Sequence, residues 1–274
     1  MAYEKGFFSK YGLDVTIKNI DVDKPNEEEL TKGNAEFITS FLSTAMMLSD
    51  QYDLVNIGQT SRKSALVFVA KAKSGIKSIN QLKGKKIGIW AAGFQEIPRA
   101  FTARYDLNVK FVPIRSTINL FIEGGVDLMT VMWYNEYNSI INAGIDEEDM
   151  SAFFFSDYGM DVPEDGIYTT RKFYKENKTV CENFLKAVME GWNYARENRK
   201  EALDNVIQRM KEARIPANYS HQSWMLDKVL KVIFPEGMSN NGKLKKSEFD
   251  FTYKILKDSG YVKKTLTYEE FIGQ

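Results

Sequence analysis

The sequence predicts an α/β protein in two lobes with a helical C-terminal tail. Three observations predict it. Strand and helix patterns alternate through the first two-thirds of the chain, the alternation starts afresh near residue 85, and from Phe173 onward only helical patterns remain. A length of 274 residues fits one large domain or two lobes, because hydrophobic cores tend to split beyond roughly 250 residues.

Near the start, Phe7, Phe8 and Tyr11 form an aromatic group expected to pack beneath a sheet, and Gly12 offers a left-handed exit. A strand is expected over 15–20, preceded by the alternating Leu13-Asp14-Val15-Thr16-Ile17, and a polar turn over 23–26. A helix start at 27–31 and a short strand at 35–39 follow. Ser43 and Thr44 can then cap a helix running through Leu48. Residues 54–57 read as a strand, and the apolar run 64–70 as a fully buried one, so a largely parallel sheet is expected. After a polar, turn-rich stretch at 71–80, a second unit reads strand 86–90, helix 98–105, strand 109–112, helix 117–123, strand 127–132 and helix 135–142. Residues 165–170 would return the chain to the first lobe. In the tail, Phe184, Ala187, Val188, Gly191, Trp192 and Ala195 share one helical face, and further helices are expected over 200–213, 220–232 and 247–258. This assigns 1–84 and 167–274 to lobe I and 85–166 to lobe II.

Composition narrows the function classes. Thirty-seven basic and 37 acidic residues cancel, which argues against a nucleic-acid or membrane-surface partner. Aromatics at 13% suit the walls of a small-molecule cleft as well as a core. Cys181 is the only cysteine, so no intramolecular disulfide or thiolate metal site can form, and it is expected to be a buried packing thiol. His221, the only histidine, has no metal-spaced companion and is expected at the surface or near a helix cap. No apolar run approaches the roughly 20 residues of a membrane span, and no signal peptide opens the chain.

Two segments carry most of the expected chemistry. Trp90-Ala91-Ala92-Gly93-Phe94-Gln95 follows a strand and precedes a helix, placing small residues and free N–H groups where an acceptor or anion can sit. A plain β–α turn with a buried Trp accounts for it equally. Met132-Trp133-Tyr134-Asn135-Glu136-Tyr137 lies at the carboxyl end of a buried strand, where open α/β sheets place ligands. Its aromatics can stack on a flat ring and Glu136 can accept from an amine. The alternative makes Asn135 an N-cap and Glu136 a first-turn acid. Ser40, Ser43, Thr44, Gln59 and Asp165 lie at further strand edges and complete the candidate site. Capping and turn formation account for them otherwise.

Glu4-Lys5-Gly6-Phe7-Phe8-Ser9-Lys10-Tyr11-Gly12-Leu13-Asp14-Val15 resembles a block near the start of ABC-importer substrate-binding proteins. The branch in question takes nitrate, sulfonates, taurine and thiamine-pyrimidine precursors. Ile79-Asn80-Gln81-Leu82-Lys83-Gly84-Lys85-Lys86 resembles that family's passage into its second lobe, and Pro163-Glu164-Asp165-Gly166-Ile167 its hinge segment. Gly88-Ile89-Trp90 with Gly93 is similar to the pyrimidine- or flavin-binding members, though Phe94-Gln95 departs from them. Met132-Trp133-Tyr134-Asn135-Glu136-Tyr137 resembles the thiamine-precursor signature, with Trp133 in place of Thr. The resemblance implies a type II periplasmic-binding-protein fold whose lobes close on a hinge over a small heteroaromatic solute. It also implies a permease partner, an extracytoplasmic location for the full gene product, and no cofactor or covalent chemistry. In that reading Trp90 and Tyr134 stack, Glu136 reads an amine, and Gly93 and its neighbours donate N–H bonds. Two alternatives come with it. One is a thiamine-pyrimidine synthase of the same fold, which one Cys and one distant His do not suit; the other is a ligand-sensing domain. Relatives also carry a strand and helix before the Gly6-Phe7-Phe8 block, so a shortened chain or misplaced start is expected. If that strand is truly missing, the first lobe has an unpaired sheet position, which predicts a homodimer or weak stability.

Overall fold

Eight strands form two sheets among the residues described by the computed structural model, namely 1–18, 27–91, 93–115 and 117–274. The strands are β1 (Ile38–Phe41), β2 (Leu54–Gln59), β3 (Leu66–Lys71), β4 (Lys86–Trp90), β5 (Lys110–Ile114), β6 (Leu128–Met132), β7 (Met150–Phe154) and β8 (Asp165–Thr170). The first sheet runs β1-β8-β2 and the second β5-β4-β6-β3-β7. The helices are α1 (Phe7–Lys10), α2 (Glu27–Thr31), α3 (Leu42–Tyr52), α4 (Glu96–Arg104), α5 (Asn119–Ile122), α6 (Glu136–Asn142), α7 (Arg171–Glu176), α8 (Lys178–Glu197), α9 (Arg199–Glu212), α10 (Tyr219–Ile233), α11 (Lys246–Asp258) and α12 (Tyr268–Phe271).

The expected α/β, two-lobed architecture is present, with two differences in the sheets. Only β4–β5 and β4–β6 are parallel; β8 runs antiparallel to both β1 and β2, and β3 antiparallel to both β6 and β7. The expectation of a largely parallel sheet is therefore corrected. Two strands that switch sheets, β3 and β8, each enter their new sheet against the local direction. The second difference follows from the first. The apolar run expected in lobe I is β3, and it lies inside the second sheet between β6 and β7. The chain thus crosses between Gln59 and Leu66, upstream of the charged turn at 83–86 where the boundary was expected. Strand β7 was not expected at all: Met150-Ser151-Ala152-Phe153-Phe154 is short and sits directly after an acidic turn.

Burial on both faces explains why β3 and β6 read as continuous apolar runs. Period-2 alternation then divides β3 between two cores. Phe68 and Ala70 join the larger core with Phe101, Phe155 and the α3 residues Leu42 and Met46, while Val67 and Val69 join Met129, Val131 and the α6 residues Tyr137 and Ile140. Phe68, Phe101 and Phe155 contact one another with ring centroids 5.4, 4.8 and 4.3 Å apart. The larger core extends from the first lobe's α3 through Phe101 on α4 to Phe249 on α11, so it spans the two sheets.

At the start of the chain, Leu13 to Lys18 forms no strand, and residues 19–26, covering the rest of the expected strand and the expected turn, lie outside the described residues. No described strand pairs with the other edge of β1. The aromatics also pack differently from expectation. Phe8 stacks on Phe184 at 5.2 Å and Phe7 meets Tyr194 edge-on at 5.9 Å, so they cover helix α8 rather than a sheet. Gly12, at φ 73, makes the left-handed exit expected of it.

Helix α8 buries Cys181, Leu185 and Met189 along one i, i+4 stripe, and Ala187 on the neighbouring face. Burial pushes the Cys181 thiol up to about 11, which leaves little nucleophilic thiolate at neutral pH. A colourless aromatic disulfide reagent such as dithionitrobenzoate is accordingly expected to leave the native protein unlabelled at pH 8 and to label one thiol in denaturant. Rapid labelling of the native state would show that the helix opens. Among the described residues, no helix is long and apolar enough to cross a membrane, and no group of His, Cys, Asp and Glu could hold a metal ion.

Candidate ligand-binding site

The carboxyl ends of β4 and β6 bring the two chemistry-bearing segments together. Trp90 closes β4, and its indole Nε1 donates to Glu136 Oε1 at 3.2 Å; the other oxygen of Glu136 accepts from the Met132 backbone N–H at 3.0 Å. Glu136 is thus the first-turn acid of α6 and the tie that orients Trp90. One remaining lone pair on each oxygen leaves it able to accept again.

Phe94 follows in the β4–α4 loop. It is 5% exposed and stacks on Phe41 at the end of β1, with centroids 3.8 Å apart and planes 15° apart. The same ring lies 6.3 Å from Trp90 at 29°. Gln95 turns away: its side-chain amide donates to the Trp90 carbonyl at 2.6 Å and its oxygen accepts from Arg99. Gly93, at φ 66, allows the loop to reverse. Ala92, one of the small residues in this loop, lies outside the described residues.

Ser43 and Thr44 do not cap α3, whose N-cap position is Phe41. Both hydroxyls instead donate across the lobes to Glu96 Oε1, at 2.6 and 3.0 Å. Ser40 donates to Glu27 at 2.7 Å. These three expected ligand contacts are therefore spent on protein acids, two of them closing the lobes on each other.

Gln59 and Asp165 belong to the hinge. The Gln59 amide donates to the carbonyls of Glu164 and Asp165 at 3.2 and 2.9 Å, while the Asp165 carbonyl also accepts from Thr60 N and Ser61 N. Gly166 has no room for a side chain, since a Cβ would stand 2.5 Å from the Tyr168 hydroxyl and 2.9 Å from Gln59 Oε1. Glu164, which sequence reasoning passed over, is 1% exposed and binds both strands of the crossover. Its Oε1 accepts from Ala65 N at 2.6 Å and Ser64 Oγ at 3.1 Å, its N–H donates to Ser61 Oγ at 2.8 Å, and its Oε2 has no partner. Burial pushes Glu164 up to about 8, reinforced by Asp165, and pushes Asp165 up to about 6. Burial also raises the Tyr134 phenol well above its ordinary value, with Glu164, Asp165 and Glu136 adding to the shift.

The tail helix α10 reaches the same place from the other side. Trp224 donates its indole N–H to the Trp133 carbonyl at 2.9 Å and stacks on Tyr137 at 6.1 Å. His221 is not a simple surface residue: Nδ1 lies 2.8 Å from Asn138 Oδ1 and Nε2 lies 3.2 Å from Asn135 Oδ1. Burial lowers its pKa, against the pull of Glu136. The only signal in sequence for this contact was the helical spacing of Asn135 and Asn138, which puts both amides on one face. A separate concavity between α9 and α10, lined by Arg199, Lys200, Leu203, Tyr219 and Asp227, lies away from these groups. Its cations are paired, Arg199 with Asp227 and Lys200 with Asp204 on the same helix.

Two α/β lobes joined by hydrogen-bonded crossovers, with aromatic and acidic side chains meeting where they face, constitute the periplasmic-binding-protein fold. A profile of the NMT1/THI5-like family matches residues 1–202, and the chain belongs to that family. Solved structures agree on the fold. The periplasmic aliphatic sulphonate binding protein SsuA of Escherichia coli is 14% identical, with TM-score 0.74 over 99% of this chain and 86% of that one. The ligand-binding component of an ABC-type import system from Staphylococcus aureus, solved with zinc bound, is 11% identical, with TM-score 0.66 over 99% and 90%. A conserved Candida albicans gene product, described as exhibiting the generic periplasmic binding protein fold, is 17% identical, with TM-score 0.54 over 97% and 92%. None of the curated proteins matches the chain.

Proposed function

We propose that this protein is the extracytoplasmic solute-binding component of an ABC importer, delivering a small heteroaromatic solute such as a thiamine pyrimidine precursor to a membrane permease. It binds and releases its solute without covalent chemistry. The lobes move on the paired crossovers held by Gln59, Ser61, Ser64 and Glu164. The observation that carries the ligand class is the Glu136 carboxylate held on the Trp90 indole N–H at 3.2 Å, beside the stacked Trp90 and Phe94 rings. A carboxylate beside aromatic faces favours a ring bearing amino groups or a protonated nitrogen and disfavours an anion. Trp90 and Tyr134 offer stacking surface, Glu136 an acceptor, and the backbone around Gly93 donors.

Thermal melting against an aminopyrimidine precursor, thiamine, riboflavin, taurine, alkylsulfonates and nitrate tests this reading. The aminopyrimidine is expected to raise Tm in a concentration-dependent way. Glu136→Gln, which keeps an acceptor for Trp90 but loses the charge, is expected to weaken that binding by about tenfold, the difference between a charged and a neutral hydrogen bond. A shift produced by sulfonates or nitrate alone would keep the fold and overturn the ligand class.

A further inference from the structure

The β4–α4 loop holds a buried aromatic ring in a position that local structure does not require. Phe94 sits at φ 48, a left-handed conformation that non-glycine residues seldom adopt. Its main chain makes no hydrogen bond with a described residue, whereas both ends of the loop are pinned, Ala91 N–H to the Ile114 carbonyl at 2.7 Å and Gln95 to the Trp90 carbonyl at 2.6 Å. What holds Phe94 inside is its ring: among the described residues it is the one side chain that stacks on both Phe41 of lobe I and Trp90 of lobe II. Gly93 beside it provides a swivel.

We propose that Phe94 occupies the ligand's place: a flat, uncharged or cationic heteroaromatic ring binds between the lobes by displacing it from the faces of Phe41 and Trp90. This rests on the solute-binding reading above and goes further by naming the slot, its second wall and its resident competitor. A six-membered heteroaromatic ring has nearly the size and shape of the phenyl ring it replaces. Aromatic faces are electron-rich, so stacking there suits an electron-poor or cationic ring. The Glu136 carboxylate on the Trp90 indole adds to the exclusion of a sulfonate. The left-handed backbone also gives Phe94 a reason to leave, since strain is released when the loop opens. Unliganded protein would keep its lobes closed on Phe94, and solute would exchange one stacked ring for another.

Phe94→Gly tests this, because glycine tolerates the left-handed backbone and removes only the ring. Phe94→Asn, also at home in that region, serves as the second variant should the glycine form fold poorly. Binding of 4-amino-2-methylpyrimidine, indole and methanesulfonate is followed by calorimetry and by Trp fluorescence, with Trp90→Phe identifying the reporter. The variant is expected to bind the aminopyrimidine about tenfold more tightly than the unaltered protein, the order of one aromatic stack no longer competed for. Equal or weaker binding by the variant would make Phe94 a bystander or a wall of the site and overturn the proposal. If indole binds the variant but not the unaltered protein, and the aminopyrimidine binds neither, the slot is upheld and the pyrimidine reading fails. If no ring binds the variant, the slot itself is refuted, whatever the unaltered protein binds.

Discussion

Arg62→Ala is expected to lower stability by about 3–5 kcal/mol, the range found when one member of a buried ion pair is removed. The Arg62 side chain is fully buried at the first crossover and donates four hydrogen bonds. It donates to Glu248 Oε2 at 2.7 Å, Asn240 Oδ1 at 2.9 Å, the Gln59 carbonyl at 3.1 Å and the Lys243 carbonyl at 2.6 Å. Its own N–H donates to the Val232 carbonyl at 2.9 Å. The guanidinium thus fastens the tail segment 240–248 to the strand end that leads into the hinge. Truncation takes the guanidinium from the Glu248 carboxylate, the Asn240 amide oxygen and two carbonyls, and leaves Glu248 Oε2 with the Lys245 N–H alone. Urea unfolding with the midpoint and slope both fitted measures the cost. A loss below about 1 kcal/mol would mean that water replaces the guanidinium, and the tail would then be held by its apolar contacts alone.

The second large effect concerns Glu164, whose pKa of about 8 in the folded protein lies above its ordinary 4.5. The folded state therefore binds more protons than the unfolded chain between those values, and stability falls as pH rises through them. The contribution is fully present below the unfolded value and is lost as pH passes the folded one. Asp165, raised to about 6, works in the same direction over the lower part of the window. A fall in Tm of several degrees is expected between about pH 5.5 and about pH 8.5. Glu164→Gln keeps an oxygen for Ala65 N–H and Ser64 Oγ and cannot ionise. It is expected to melt higher than the unaltered protein at the alkaline end and to lose most of the slope. A Tm that rises with pH in the unaltered protein, or an equally steep fall in the variant, would contradict a buried neutral acid at the hinge. The unpartnered Oε2 is where the retained proton would sit.

Much of the secondary structure was legible in sequence because periodicity reports burial directly. Helices α8, α9, α10 and α11, strand β4 and the buried runs of β3 and β6 all lie close to where apolar spacing places them. The two segments richest in chemistry, around Trp90 and around Glu136, were also visible, as aromatic and acidic residues placed just beyond strand ends. Roles were harder to read than positions. Ser43 and Thr44 look like caps because hydroxyls at a helix start usually are, but the Glu96 carboxylate 53 and 52 residues away competes successfully for both. Phe41 attracted no notice beside Ser40, and Glu164 none beside Asp165, since nothing local separates a contact residue from its neighbour.

By itself the sequence determined the α/β alternation, the two-lobed plan, the helical tail and the inert buried thiol, because each follows from spacing and composition along a short stretch. Tertiary structure decided which sheet β3 joins, which strands run antiparallel, and that Phe94 rather than solvent lies against Phe41. It also decided that His221 meets Asn135 and Asn138 across more than eighty residues of chain. The physical reason is common to all of these. Hydrophobic periodicity states that a residue is buried and on which face, but a hydrogen bond or a ring stack is satisfied equally well by many partners, and only the folded path of the chain selects one.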